Sequence, residues 1–215
     1  MSVELRRQII ETAQDMNDCG LNKGTSGNLS VRFNDGFLIT PSGMDYTRME
    51  ENDIVFMTLD GGPQGRRRPS SEWRFHAAIY QNRPEANAVL HAHPVNSSAL
   101  ACLERGIPAF HYMVAVAGGK DIRCSGYATF GSQELSDQVV EALQGRKACL
   151  MAHHGLTCFD DDLPSALKLA IEVEHLAAML MRILPYGEPN YLSDQEMDKV
   201  LEQFAGYGSQ AQLKL

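Results

Sequence analysis

The stretch Ala88-Val89-Leu90-His91-Ala92-His93-Pro94 is the most informative part of this chain. Its apolar residues predict a buried strand, which Pro94 ends. Because residues i and i+2 of a strand point to the same face, His91 and His93 direct two imidazole rings toward one point. A metal ion shared by the two rings is the simplest explanation of that spacing.

A second pair of histidines follows another apolar run. Residues 148–152 predict a strand, and His153-His154-Gly155 comes directly after it. Adjacent strand residues face opposite sides, so only one of His153 and His154 can join the first two histidines, and the spacing leaves both choices open. The pattern predicts a three-histidine site of the kind that holds a catalytic zinc ion. The remaining histidines lack such spacing and are expected to be structural or exposed: His76, His111 and His175.

The composition excludes several classes of protein. Among 215 residues, 19 Lys and Arg against 27 Asp and Glu give a net charge of −8, whereas a nucleic-acid-binding protein would carry a basic face. No apolar run could span a bilayer, and no secretory signal is visible. Five cysteines without a C-x-x-C pair are typical of reduced thiols, so we expect a cytoplasmic protein. With no linker or repeat, residues 1–215 are expected to form one domain.

Helical and strand patterns alternate along the chain. Residues 31–40 predict a hairpin around a short Asp-Gly turn, and residues 54–57 predict a further strand. Apolar spacing predicts helices at residues 5–20, 70–83, 95–105, 133–144 and 164–183, and a capping box at 193–196 opens another. A serine at position 70 or 71 is expected to cap the second helix. These elements predict an α/β or α+β fold around one mixed sheet.

Three turns are rich in glycine, serine, threonine and asparagine: residues 25–28, 42–43 and 70–71. Each offers backbone N–H groups and hydroxyls, and the third opens a predicted helix, whose N-terminus favours an anion. Taken singly, each is also the pattern of an ordinary turn. None matches a nucleotide-binding fingerprint. Glu72, beside the third turn, is the carboxylate that would connect an anion site to the histidines.

The order of several motifs along the chain resembles the zinc-dependent class II aldolase/adducin family. The motifs are residues 24–28, 38–43, 70–76, 91–93 and 153–155, supported by residues 107–113, 118–119 and 127–131. The resemblance extends over nearly the whole chain. It implies an α/β fold of the class II aldolase type, with a central, largely antiparallel sheet flanked by helices on both sides. It also implies a homotetramer with active sites between subunits.

The resemblance further implies roles for individual residues. His91, His93 and His154 are implied to bind one zinc ion per subunit, with Glu72 as the fourth ligand and as an acid/base once displaced. Tyr112 is implied to act from a neighbouring subunit. The residues implied to hold the substrate phosphate are Gly27, Asn28, Ser42, Gly43, Ser70 and Ser71. Those implied to lie at the edge of the site are Thr25, Phe130 and Tyr207.

The family's chemistry implies a metal-dependent lyase. L-Fuculose 1-phosphate, or a close deoxyketose 1-phosphate, would be cleaved reversibly between C3 and C4 to dihydroxyacetone phosphate and an aldehyde such as L-lactaldehyde. The zinc ion would act as the electrophile, while Glu72 and Tyr112 would transfer protons. No Schiff-base lysine is required.

Three alternatives stay open from the sequence. The first is an aldolase acting on 5-deoxyribulose or 5-methylthioribulose 1-phosphate in nucleoside salvage. The second is a different reaction on the same scaffold, either 4-epimerisation of a pentulose 5-phosphate or dehydration of methylthioribulose 1-phosphate. The third is a non-catalytic, adducin-like interaction module, which the intact His-x-His motif and Glu72 disfavour.

Overall fold

A central sheet organises the part of the chain that the computed structural model describes, residues 2–204. In that part the sheet has eight strands in the order β4-β3-β2-β1-β5-β8-β7-β6, and only the β6–β7 pair is parallel. The strands are β1 Asn28–Phe33, β2 Gly36–Ile39, β3 Val55–Thr58, β4 Pro63–Gln64, β5 Ala88–Ala92, β6 Arg123–Ser125, β7 Ala148–Met151 and β8 Gly155–Asp160. The α-helices are α1 Ser2–Asp18, α2 Trp73–Asn82, α3 Val95–Cys102, α4 Gln133–Ala142, α5 Leu163–Ile183 and α6 Asp194–Phe204.

Helices cover both faces of the sheet, as expected. Successive residues of β5 divide between two apolar cores. Leu90 packs in the core that contains residues of α1, α3, α5 and α6, whereas Val89 packs in the core that contains residues of α2 and α4. His91 follows Val89 by two positions, so its ring faces α2 and meets the ring of Phe75 edge-on, with centroids 5.4 Å apart.

The position of β5 in the sheet brings distant segments next to the histidines. β5 lies between β1 and β8, and His91 is paired with Asn28 on one side and with Thr157 on the other. Asn28 is therefore held beside the His-x-His motif although it lies far from it in sequence. The tight turn from β7 to β8 brings His154 to the same region.

Two predicted local details are wrong. The hairpin forms, but its turn is Asn34–Asp35, with Asn34 at φ +51°, and Gly36 is already the first residue of β2. Glycine is needed there because a Cβ atom would lie 2.1 Å from the carbonyl oxygen of Met57. The expected serine cap of α2 is also wrong, because Glu72 occupies the N-cap position.

The sequence patterns also failed to predict some strands and extended some helices beyond their observed ends. Three strands were not predicted: β4, β6 and β8. α3 ends at Cys102 and α4 ends at Ala142, in both cases before the predicted end. Among residues 2–204, no helix is both long enough and apolar enough to cross a membrane.

Candidate metal centre and active site

Three histidine rings meet on the α2 side of the sheet. His91 lies in β5, His93 follows that strand directly, and His154 lies in the turn between β7 and β8. Their ring centroids are 4.7, 4.7 and 4.8 Å apart, and the ring planes are inclined to one another by 72 to 74°. This nearly three-fold arrangement directs one nitrogen of each ring toward a common centre.

Hydrogen bonding decides which nitrogen of His91 faces that centre. Nδ1 of His91 lies 2.8 Å from the carbonyl oxygen of Leu156. A carbonyl only accepts, so Nδ1 carries a proton and Nε2 is the ring nitrogen that can bind a metal ion. That Nε2 is 2.8 Å from Nε2 of His93. Two nitrogen lone pairs at this separation repel each other unless a proton or a cation lies between them.

Glu72 completes the cluster from the start of α2. Its buried carboxylate places Oε2 3.2 Å from Nε2 of His91 and Oε1 3.1 Å from Nε2 of His154. Burial by itself would raise the pKa of this carboxyl group. The charge and hydrogen-bonding groups of His91 and His154 outweigh burial and hold the pKa below its usual range, so the group is ionised.

The donor set fits a zinc-type cation. One carboxylate oxygen and three imidazole nitrogens lie within 4.8 Å of one another. Oε1 of Glu72 is buried, and no donor in the described part of the chain is aligned to form a hydrogen bond with it, although Nε2 of His154 lies 3.1 Å away. A cation at the centre would satisfy this oxygen together with the nitrogen lone pairs. Burial, followed by the charges of His91 and His154, lowers the pKa of His93 to about 3, which keeps its nitrogen free of a proton.

The three polar turns meet beside this cluster. The backbone N–H of Thr40 donates to Leu29, just after the first turn, over 3.0 Å. The N–H of Ser70 donates to Thr40, and the N–H of Ser42 donates to Arg68, each over 3.0 Å. The side-chain nitrogen of Asn28 then donates to Oε2 of Glu72 over 2.9 Å. The turns therefore form one polar surface that is hydrogen-bonded to the metal-binding group.

A cavity of about 350 Å³ opens over the metal-binding group. Its lining combines polar and charged residues with the aromatic residues Tyr127 and Phe130. Its lining consists of Ser26, Ser71, Glu72, His93, Tyr127, Ala128, Phe130, His153 and His154. The cavity can therefore hold a small molecule that carries both polar and apolar groups.

Comparison with known families agrees with this geometry. A family model described as Class II Aldolase and Adducin N-terminal domain matches residues 7–181. The chain belongs to the class II aldolase and adducin family. Its metal-binding group, its polar turns and its largely antiparallel sheet are thus features of a family member.

Known relatives cover nearly the whole class II aldolase chain. It is 54% identical over 211 residues to a 5-methylthioribulose-1-phosphate/5-deoxyribulose-1-phosphate aldolase of Rhodospirillum rubrum, with 98% of this chain and 96% of the relative covered. It is 52% identical over 206 residues to an L-fuculose phosphate aldolase of Escherichia coli K12, with 95% of this chain and 96% of the relative covered. The solved structure of an L-fuculose 1-phosphate aldolase superposes with a TM-score of 0.90 at 40% identity, with 94% of this chain and 96% of that chain covered. The chain is therefore a class II aldolase, a lyase, and the non-catalytic alternative is not supported.

Other residues named from the sequence lie at varying distances from the cluster. His153 lies outside it. Its ring is exposed and bonds Glu104 over 3.1 Å, and its backbone has φ +53°. Tyr112 is half exposed and does not line the cavity. Ser42, Gly43 and Thr25 are exposed, and Gly27 is buried. Tyr207 lies outside the described residues.

Sequence reasoning missed several residues of this class II aldolase site. Asn22 is buried, and its Oδ1 accepts from the backbone N–H of His93 over 3.0 Å. Tyr127 lines the cavity and meets the His153 ring edge-on. His76, expected to be structural or exposed, is fully buried and bonded to Asn28. Each of these residues reaches the site through contacts with segments far away in the sequence, so no local pattern marks them.

Proposed function

We propose that this class II aldolase cleaves a ketose 1-phosphate to dihydroxyacetone phosphate and an aldehyde, and that its metal is zinc. The observation that supports the proposal most is the metal-binding group of Glu72, His91, His93 and His154, hydrogen-bonded to a surface of polar turns. Three imidazoles suit zinc, and the hydroxyls and the side-chain amide of the turns suit a phosphate. We also propose that residues 1–215 are one domain.

In this proposal the residues of the three turns hold the phosphate: Gly27, Asn28, Ser42, Gly43, Ser70 and Ser71. They supply donors without a lysine or arginine, so the pocket is neutral and polar. When bound, the metal ion would polarise the ketone and stabilise the charge that develops on its oxygen. His91, His93 and His154 would hold the ion throughout.

Glu72 is proposed to transfer a proton at C3 of the substrate. Its carboxylate is ionised and buried, and its Oε1 has no aligned hydrogen bond within the described residues, so this oxygen can accept a proton once it is displaced from the metal. Asn28 holds the other oxygen over 2.9 Å and keeps the carboxylate facing the cavity. A positioned acid/base of this kind contributes roughly 10²–10⁴-fold to the rate.

Tyr112 is proposed to exchange the proton of the C4 hydroxyl from a neighbouring subunit of a homotetramer. The support is its place in the structure: half exposed, at the start of the 3₁₀ helix Tyr112–Ala117, and away from the cavity. Mixing Tyr112→Phe chains with His93→Ala chains should restore activity in hybrid oligomers. No recovery despite proven subunit exchange would contradict a shared site.

Two substrates are supported for the aldehyde end. L-Fuculose 1-phosphate is the first, and its use would place the enzyme in fucose metabolism. The relative at 54% identity favours 5-methylthioribulose 1-phosphate or 5-deoxyribulose 1-phosphate as the second. Phe130 and Tyr127 give the cavity an aromatic wall, which suits a methyl or methylthio group, and Thr25 and Tyr207 are proposed at its edge. An apolar wall separates such groups by only about 1–3 kcal/mol. We also propose a cytoplasmic location, which the free thiols support.

Product analysis tests the proposed function. The zinc-loaded protein is incubated separately with L-fuculose 1-phosphate, 5-methylthioribulose 1-phosphate, 5-deoxyribulose 1-phosphate and a pentulose 5-phosphate. We expect equal amounts of dihydroxyacetone phosphate and aldehyde from at least one ketose 1-phosphate, and the ratio of kcat/KM values identifies the preferred substrate. Epimerised pentulose 5-phosphate, or a dehydrated product without dihydroxyacetone phosphate, would contradict the proposal.

A further inference from the structure

A continuous chain of hydrogen bonds runs from α2 to the metal-binding group. The Tyr80 hydroxyl lies 2.8 Å from Ser30 Oγ, which lies 2.7 Å from Nδ1 of His76. Nε2 of His76 lies 2.6 Å from Oδ1 of Asn28, and Nδ2 of Asn28 donates to Oε2 of Glu72 over 2.9 Å. All five residues are buried, and Ser30 and His76 have no exposed surface.

The direction of every hydrogen bond in this chain follows from its charged end. The Glu72 carboxylate only accepts, so the amide nitrogen of Asn28 must face it and Oδ1 must face His76. His76 must then carry its proton on Nε2, which leaves Nδ1 to accept from Ser30. Ser30 Oγ in turn accepts from the Tyr80 hydroxyl. Burial, followed by the charge of His91, lowers the pKa of His76 to about 3, which agrees with a neutral ring.

We infer that His76 is a positioning residue, held by Ser30 and Tyr80, that fixes the Asn28 amide with its nitrogen toward Glu72 and the proposed phosphate pocket. The inference rests on the proposed function, since it takes Asn28 and Glu72 as parts of the aldolase site. Among residues 2–204, Asn28 Nδ2 makes one hydrogen bond, so its second N–H is free for a phosphate oxygen. One amide nitrogen then connects the carboxylate to the anion pocket.

The orientation of the amide matters because its two ends have opposite polarity. The carboxylate alone favours the observed orientation, but without a donor at the His76 position Oδ1 of Asn28 would be buried without a hydrogen bond. That cost would favour movement of the amide away from Glu72, which would then lose its own hydrogen bond. The phosphate pocket would lose its N–H donor in the same movement. Both proposed functions of the site therefore depend on the proton that His76 carries on Nε2.

The His76 ring also packs against Phe75, with ring centroids 4.6 Å apart, so the side chain could serve only to fill space. Two substitutions of His76 distinguish this packing role from positioning of Asn28. His76→Gln keeps a donor for Asn28 and an acceptor for Ser30, whereas His76→Leu keeps only apolar volume. We expect His76→Leu to lower kcat by about 10- to 100-fold and raise KM, as outer-shell partners of metal sites do. His76→Gln should recover most of the loss. Equal activity of the two folded variants would overturn the inference.

A milder pair of variants covers the case in which His76→Leu does not fold. Ser30→Ala removes the hydroxyl that holds Nδ1 of His76. Ser136→Ala is the matched control, because Ser136 is equally buried and its hydroxyl donates within α4 to the carbonyl of Ser132 over 3.2 Å. We expect Ser30→Ala to lower kcat and weaken inhibition by inorganic phosphate, and Ser136→Ala to change neither. A Ser30→Ala enzyme that matches the control would contradict the chain of hydrogen bonds.

Nitrogen-15 NMR of the histidine rings gives a readout that does not depend on activity. We expect His76 to be neutral with the proton on Nε2, and we expect Ser30→Ala to shift its Nδ1 resonance. A proton on Nδ1 in the wild-type protein would overturn the inference. If the protein cleaves no ketose 1-phosphate, the proposed function fails, whereas the NMR result still decides whether His76 presents an N–H donor to Oδ1 of Asn28.

Discussion

Glu174→Gln tests how the fold supports the end of the His-x-His motif. α3 begins immediately after His93 and Pro94, and its N-cap, Pro94, has no side-chain acceptor for the free N–H groups. The carboxylate of Glu174, on α5, takes that place. It accepts from the backbone N–H groups of Asn96 and Ser97 over 3.0 and 2.8 Å, and from their side chains over 2.7 and 2.8 Å.

The magnitude follows from these four contacts. A glutamine keeps one oxygen but turns an NH₂ group toward donors, so at least one backbone N–H loses its acceptor and the negative charge is lost. A hydrogen bond to a charged group contributes about 1.5–3 kcal/mol, and a charge at a helix N-terminus contributes about 0.3–1 kcal/mol more. We expect Glu174→Gln to lower the free energy of unfolding by about 2–4 kcal/mol, or Tm by roughly 5–15 °C.

The assay compares urea and thermal unfolding of metal-free variants under identical conditions. Glu172→Gln is the matched control, because Glu172 lies on the same helix and its side chain makes no hydrogen bond or ion pair with the residues that the structure describes. We expect that control to stay within about 0.5 kcal/mol of wild type. Glu174→Gln should also bind metal more weakly, since His93 precedes α3. Equal stability of the two variants would refute the reasoning.

Four further outcomes are expected. Glu72→Gln should fold and retain metal yet lose about 10²–10⁴-fold in kcat, and near-wild-type turnover would contradict its role in proton transfer. His154→Ala should lose metal by elemental analysis, whereas His153→Ala should keep most of it. Ser71→Asp should raise KM for phosphorylated ketoses through charge repulsion, and an unchanged KM would count against the phosphate pocket. Metal-free protein should lose stability as the pH falls from 6.5 toward 3, because in this range His76 takes up a proton only when the protein unfolds. In the same range, His76→Gln should reduce the dependence of the free energy of unfolding on pH by about 1.4 kcal/mol per pH unit.

Much of this architecture follows from local patterns. The alternation of strand side chains predicted that His91 and His93 share a face, and the structure has both rings on the α2 side. Apolar spacing predicted the long helix α5, whose buried face reaches from Leu163 to Leu180. Such patterns predict helices and strands because one face of each element is buried, and this burial does not depend on which other element packs against that face. The short strands β4 and β6 carry too few residues to show an alternation.

The assembly of the site depends on contacts that no local pattern shows. Asn28 and Glu72 are 44 positions apart, and both reach His91: Asn28 through the pairing of β1 with β5, and Glu72 through the contact of its carboxylate with Nε2. Alternation also left open which residue of the second histidine pair faces the cluster. The turn geometry separates them, since His153 adopts a left-handed conformation and points to Glu104. His76 gave no signal because the hydrogen-bond partners of its ring, Ser30 and Asn28, come from a distant part of the chain.

The most direct test of the account is a metal titration of catalysis. Chelator-treated protein is reloaded with increasing zinc, and dihydroxyacetone phosphate formation from the preferred ketose 1-phosphate is measured against bound zinc per chain. We expect negligible activity without metal, a linear rise, and a plateau at about one zinc ion per chain. His91→Ala should show neither binding nor activity. Full dihydroxyacetone phosphate formation by metal-free protein would contradict the account.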